Sequence, residues 1–233
     1  ILGYPRAIDP KSPPIEAAIA TFRQISDAIG PARVIWRYDP IFLSEMTPPD
    51  FHRRQFESLA QQLSGYTERV VISIVDEYHK ASRRLRDLAS TGAALIPFDQ
   101  ETHSSLISDM SGIATDSGIE IYSCAEEFDL APQGVPAGKC IDDDLMQRAF
   151  PELAHRIATK KDQSQREACG CVQSRDIGMY DTCVYGCQYC YATQSFDRAR
   201  QNLESHDPES PSLSGRYEAT SAPPKPNPQR ELF

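Results

Sequence analysis

The sequence predicts an α/β fold built as a parallel sheet of βα units with a cysteine-rich C-terminal segment. Three observations carry that expectation. Amphipathic helical stripes alternate with β-branched runs over the first two thirds of the 233 residues. The strands are joined through helices, and a parallel connection needs a crossover of about a dozen residues or more. Five of the seven cysteines, Cys169, Cys171, Cys183, Cys187 and Cys190, fall in one short stretch.

The elements follow in order. Ile1 to Tyr4 read as the end of a strand, so the chain is expected to be the C-terminal part of something longer. Ser12 is a good N-cap, and Pro13 and Pro14 open a helix whose stripe is Ile15, Ile19, Phe22, Ile25 and Ile29. Gly30-Pro31 stops it. Residues 34–38 form a buried strand ending at Asp39-Pro40. A second helix starts near Thr47-Pro48-Pro49 and turns Phe56, Leu59 and Leu63 inward. The β-branched run 69–75 is the next strand, ending at Asp76. Helices are expected over 78–88 and 99–116, the latter ended by Gly118, and a third strand over 119–124.

Parallel strands present functional residues at their C-terminal ends. Those ends carry Arg37 and Asp39, then Ser73 and Asp76, then Cys124 and Glu126. They form a pocket, or Arg37 and Asp39 pair with each other and Asp76 caps the next helix. Three or four βα units are too few for an eight-stranded barrel of about 250 residues. The sheet is therefore open, or a partial TIM-like barrel completed by preceding strands. The organisation expected is a βα-repeat domain over 1–160, a cysteine-rich segment over 161–203, and a disordered Pro- and Ser-rich tail over 204–233.

Hydrophobic residues make up 40% and charged residues 24%, an ordinary globular balance. A formal charge of −9 argues against a broad basic surface for duplex DNA, so no nucleic-acid partner is indicated. No apolar run approaches the ~20 residues of a membrane helix. No charged-then-apolar leader follows Ile1, so a cytoplasmic location is expected. In a reducing compartment these cysteines read as metal ligands or catalytic thiols rather than disulfides.

The core of the cysteine segment is Cys183-Val184-Tyr185-Gly186-Cys187-Gln188-Tyr189-Cys190. Three thiolates spaced by three and then two residues can converge if the loop curls, which Gly186 permits. Such sets select iron–sulfur clusters or zinc. A [4Fe–4S] cube on three cysteines leaves one iron open. This spacing, with Tyr189 immediately before the third cysteine, resembles the cluster motif of the radical S-adenosylmethionine enzymes. The resemblance implies a [4Fe–4S] cluster on Cys183, Cys187 and Cys190, with Tyr189 beside the cofactor and S-adenosylmethionine on the open iron. It also implies a small-molecule substrate and an electron donor such as a flavodoxin or ferredoxin. Arg37 would bind an anionic group, and Glu126 a ribose or amine.

A resemblance to a bacterial family of unknown function covers nearly the whole chain up to the tail. It rests on Gly3-Tyr4-Pro5-Arg6, the block from Val34 to Pro40, Cys140-Ile141-Asp142, Cys169-Gly170-Cys171-Val172, the block from Ser174 to Gly178, and the cysteine core. That family is noted for a C-terminal cysteine cluster likened to the radical-enzyme one. Here the motif follows the last recognisable strand, whereas in most radical enzymes it follows the first.

Two alternatives stand beside this reading. Cys169 and Cys171 with two of the later three would make a structural zinc site of four cysteines. A cluster ligated by four cysteines would serve electron transfer or redox sensing. Cys124 and Cys140 could join Cys169 and Cys171 on a second cluster, or be small buried hydrophobes. Asp142, Asp143 and Asp144 read as a helix start, and Arg83, Arg84 and Arg86 as a solvated helical face.

Overall fold

The computed structural model describes residues 1–76, 78–97 and 99–213. Its centre is a four-stranded, all-parallel sheet: β1 (Ile35–Ile41), β2 (Arg69–Ile74), β3 (Glu120–Cys124) and the short β4 (Ala137–Gly138). The strands lie in sequence order, β1-β2-β3-β4, with Ile35 opposite Arg69 and Arg69 opposite Glu120. The prediction of a parallel α/β sheet therefore holds. β2 is almost wholly buried, as a strand covered on both faces must be.

β1 runs through Asp39-Pro40, a cis peptide, rather than stopping there. It is an edge strand of this sheet, where a proline costs no ladder hydrogen bond. Along that edge the Ile1 nitrogen donates to the Arg37 carbonyl at 2.9 Å and the Trp36 indole to the Ile1 carbonyl at 3.1 Å.

Helix α1 (Ile15–Ile29) precedes β1, α2 (Pro49–Leu63) connects β1 to β2, and α3 (Ser82–Ala89) and α4 (Gln100–Asp116) connect β2 to β3. α2 and α4 pack together over the sheet. Phe56 of α2 stacks on Trp36 at 4.8 Å and meets Tyr38 edge-on at 5.2 Å. Leu59, Leu63, Ile72, Leu106, Ile107 and Met110 complete that core. Asp99 caps α4 by accepting from the Thr102 amide at 2.8 Å.

Three local expectations change. Ser12 does not cap α1; its hydroxyl donates to the Asp9 carbonyl, and Pro14 holds the cap position. Only the first half of the α1 stripe packs on the core, through Ile15, Ile19 and Phe22. Ile25 and Ile29 stay exposed, because α1 leans on α2 rather than on the sheet. Residues 78–81 form a turn before α3, so the helix begins four residues later than predicted.

Past β4 the chain is mostly irregular. α5 (Asp143–Ala149) is capped by Asp142, which accepts from the Leu145 amide as its acidic start implied. α6 (Phe196–Glu204) closes the cysteine-rich stretch. Most of the predicted tail, from 214 on, lies outside the described residues. Among the described residues no helix is long and apolar enough to cross a membrane.

Candidate functional site

The C-terminal ends of all four strands meet in one polar network. Arg37 and Asp39, two residues apart on β1, point the same way because side chains alternate along a strand. The Arg37 guanidinium forks onto the Asp39 carboxylate, whose other oxygen accepts from the Ser73 hydroxyl at the end of β2. The remaining arm of Arg37 reaches the Cys140 sulfur at 3.0 Å. Cys124, last residue of β3, lies with its sulfur 2.7 Å from that of Cys140, two residues past β4. β4 must come this close for Cys140 to arrive. A Cβ on Gly138 would stand 2.7 Å from that of Tyr122.

Charge follows contact. The Cys140 thiol donating to it, and then Arg37, bring the Cys124 thiol down to about 6. Cys140, left with the shared proton beside that sulfur, is pushed up. Glu126 accepts from the Ile74 amide at 2.8 Å, yet burial raises its carboxyl to about 7. Asp76 turns outward to pair with Arg166 at 2.8 Å and caps no helix. Of the strand-end residues predicted, Arg37, Asp39 and Ser73 are thus joined directly. Glu126 stands where the charges of Asp76 and Cys124 still act on it.

The cysteine loop sits on the N-terminal segment. The Gln188 amide donates to the Ile8 carbonyl at 3.0 Å, and the Lys11 amide to the Tyr185 carbonyl at 3.1 Å. The Tyr189 hydroxyl donates to Asp9 at 3.1 Å, and its ring lies against Tyr4 and Phe42. Gly186 takes a φ of +79°, a turn that only glycine adopts freely. Cys183 is exposed, while Cys187 and Cys190 are half-buried. Burial, and Asp9 beside it, push the Cys187 thiol up to about 12. Burial likewise raises Asp9, one of whose oxygens, Oδ1, has no hydrogen-bond partner.

A residue that the sequence presents as solvated fastens this loop. Arg84 of α3 donates to the carbonyls of Gln188 at 3.1 Å, Thr193 at 2.9 Å, and Cys190. Its neighbour Arg83 is exposed as expected. The only signal that could have distinguished Arg84 is its place on the α3 face with Leu85 and Leu88 inward. Tyr191, next to Cys190, packs on Tyr78 with ring centroids 5.1 Å apart. Burial raises its phenol, and Asp39 on one side and Cys190 on the other add to the effect.

Cys169 and Cys171, both buried, stand with the strand-end cysteines. The Cys171 sulfur accepts from the amides of Cys140 and Ile141 at 3.2 and 3.3 Å. Cys169 feels the thiols of Cys171 and Cys124. Among the described residues, the only three or more potential ligand atoms all within 4.8 Å of one another belong to Asp142, Asp143 and Asp144. Lys139 pairs with two of that trio at 2.6 and 3.2 Å, and Arg69 with Asp142.

The loop suits a thiophilic metal group by its donors: three soft sulfurs on a curled, anchored, partly buried segment. Its spacing is wider than one ion would hold, since bonds of about 2.3 Å place tetrahedral thiolates about 3.8 Å apart.

No curated protein and no solved structure matches this chain significantly. A family model described as Domain of unknown function (DUF1848) matches residues 1–192, which span the sheet, the strand-end network and the whole cysteine loop, and the chain belongs to that family.

Proposed function

We propose that this chain is an iron–sulfur protein of the radical S-adenosylmethionine type, with Cys183, Cys187 and Cys190 holding a [4Fe–4S] cluster. The observation that carries the reading is the seating of a three-cysteine loop at the C-terminal end of β1, where Tyr189 packs on Phe42, with Arg84 of α3 fastening its backbone. When bound, a cube on three cysteines offers an open iron to the cofactor and an electron for its reductive cleavage.

The chain's own residues have definable parts in this reading. Tyr189, held by Asp9 and packed on Tyr4 and Phe42, shields one side of the loop from water. Arg37 has its fork occupied by Asp39, so it orients that carboxylate rather than seizing an anion. Asp39 keeps both oxygens aligned through Arg37 and Ser73 for a substrate donor. Glu126, near 7, is a group on these strand ends that can give or take a proton near neutral pH, as is Cys124, near 6. Asp76 holds Arg166 at the rim.

The sequential, all-parallel strand order supports a partial barrel of the TIM type, since a doubly wound sheet reverses its order at a switch point. The reading takes a small-molecule substrate, a flavodoxin- or ferredoxin-like electron donor, and a cytoplasmic setting for free thiols.

Anaerobic reconstitution with iron and sulfide, followed by electron paramagnetic resonance of the reduced protein, tests it. A [4Fe–4S] signal that changes on adding S-adenosylmethionine supports the radical reading. A signal indifferent to the cofactor means electron transfer or sensing. Bound zinc without a cluster means a structural site.

A further inference from the structure

The loop accounts for three cysteines, and the remaining four are not scattered. Cys124 comes from the end of β3, Cys140 from just past β4, and Cys169 and Cys171 from the segment that folds back beside them. The Cys124 and Cys140 sulfurs are 2.7 Å apart, so the ends of β3 and β4 bring these two side chains together. Two consecutive backbone amides aim at the Cys171 sulfur, at 3.2 and 3.3 Å. Amides directed at a sulfur are a usual accompaniment of metal-bound thiolates. Arg37, at 3.0 Å from Cys140, supplies positive charge against the excess negative charge that four thiolates bring.

The geometry points to a second metal centre, with Cys124, Cys140, Cys169 and Cys171 as a four-thiolate ligand set for an iron–sulfur cluster, since no three of these sulfurs lie within 4.8 Å of one another as one ion would need. Four soft donors select thiophilic metals over magnesium or calcium. The full ligand complement sets this centre apart from the loop: it closes on its metal and leaves no position for a substrate. The residues come from three separate stretches, so metal binding there ties the irregular segment after α5 to the ends of β3 and β4. Its role is structural or electron-relaying, one side chain away from Asp39 through Arg37.

The test uses the full chain purified anaerobically, reduced, and loaded either with iron and sulfide or with zinc chloride alone. Metal content is measured for the wild type, the triple variant Cys183→Ser/Cys187→Ser/Cys190→Ser, and the double variant Cys140→Ser/Cys171→Ser. The triple variant is expected to retain about half of the wild-type iron. The double variant is expected to lose that share. Iron with matching sulfide identifies a cluster, whereas one tightly held zinc and no iron in the triple variant overturns it. Iodoacetamide labelling of the unsubstituted chain, read by peptide mass, needs no variant to fold: metal loading should protect all four thiols.

A triple variant that is folded by circular dichroism yet binds no metal overturns the proposal. So does labelling of the four thiols regardless of metal, or a Cys124–Cys140 disulfide in the metal-loaded chain. Failure of the loop reading looks different, since the triple variant would then match the wild type in metal while the double variant held none.

Discussion

Arg84 on α3 donates to the carbonyl of Cys190, 106 residues further along the chain. Two more bonds from the same guanidinium, to Gln188 and Thr193, clamp both sides of that cysteine. Its charge serves three backbone oxygens rather than an anion, so the shape of the loop depends on a helix that carries no cysteine.

Arg84→Ala should loosen the loop without unfolding the sheet. Hydrogen bonds from a charged donor contribute about 1.5–3 kcal/mol each, and not additively, so a local loss of roughly 2 kcal/mol or more is expected. Hydrogen exchange should rise over residues 184–194 while β1 to β3 stay protected. Arg84→Lys, with one ammonium for three acceptors, should fall between. Unchanged exchange in that stretch would remove Arg84 from this role.

Cys183→Ala should empty the loop of its metal and abolish any cleavage of S-adenosylmethionine. Cys183 is exposed, so the thermal midpoint should stay within a few degrees of wild type by surface-substitution norms. A large fall in midpoint together with released zinc would indicate a folding role for this thiol.

His52 makes stability depend on acid. It is fully buried between the Tyr38 hydroxyl at 2.9 Å and the Phe42 carbonyl at 3.1 Å, and burial lowers it to about 4. Between about 4 and its ordinary 6.5 the unfolded chain binds the extra proton, so stability rises with pH there. It is fully present above 6.5 and lost as pH falls toward 4, by up to about 3 kcal/mol. Glu126, raised to about 7, titrates in the opposite sense over an overlapping range. The measurement is therefore the difference in urea midpoint between wild type and His52→Gln, in which Glu126 cancels. A difference flat from pH 4 to 6.5 would refute the assignment.

Arg69 and Asp142 form an ion pair at 2.5 Å with both side chains under a tenth exposed. Arg69 also lies over the Tyr122 ring, and its Nε has no hydrogen-bond partner. Asp142→Asn should cost about 3 kcal/mol, the low end for a broken buried pair, because it leaves the buried guanidinium only the exposed Glu120 carboxylate at 3.7 Å. Arg69→Met with Asp142→Leu should recover much of that loss, since apolar replacement of both partners removes the desolvation cost. Chemical denaturation of the single and double variants decides it.

The parts legible in sequence are those with a local physical signature. β2 announces itself through Val70, Val71 and Ile72, and α4 through Asp99 and the Leu106–Met110 stripe. The Arg37–Asp39 pairing and the Asp142 cap follow from spacing alone. β4 is two residues long, Ala137 and Gly138, too short to carry alternation, so the sequence alone does not bring Cys140 to Cys124. Arg84 reads as solvent-facing beside Arg83 because its partners are backbone carbonyls, which leave no trace in side-chain identity. The exposure of Ile25 and Ile29 shows the converse: a stripe with helical period does not say how far along it a partner extends.

The bond between Tyr189 and Asp9 spans 180 residues and has a consequence in time. A ribosome adding about 5–20 residues per second needs about 10–35 seconds to travel between the two. Throughout that interval Ile8 and Lys11 lack the partners that Gln188 and Tyr185 later provide. The opening segment of the chain thus waits on nearly the last of its matched family region. A nascent chain interrupted before residue 185 has no cysteine loop to seat and keeps the Asp9 surface uncovered, so this contact delays assembly of the site until residue 189 has been added.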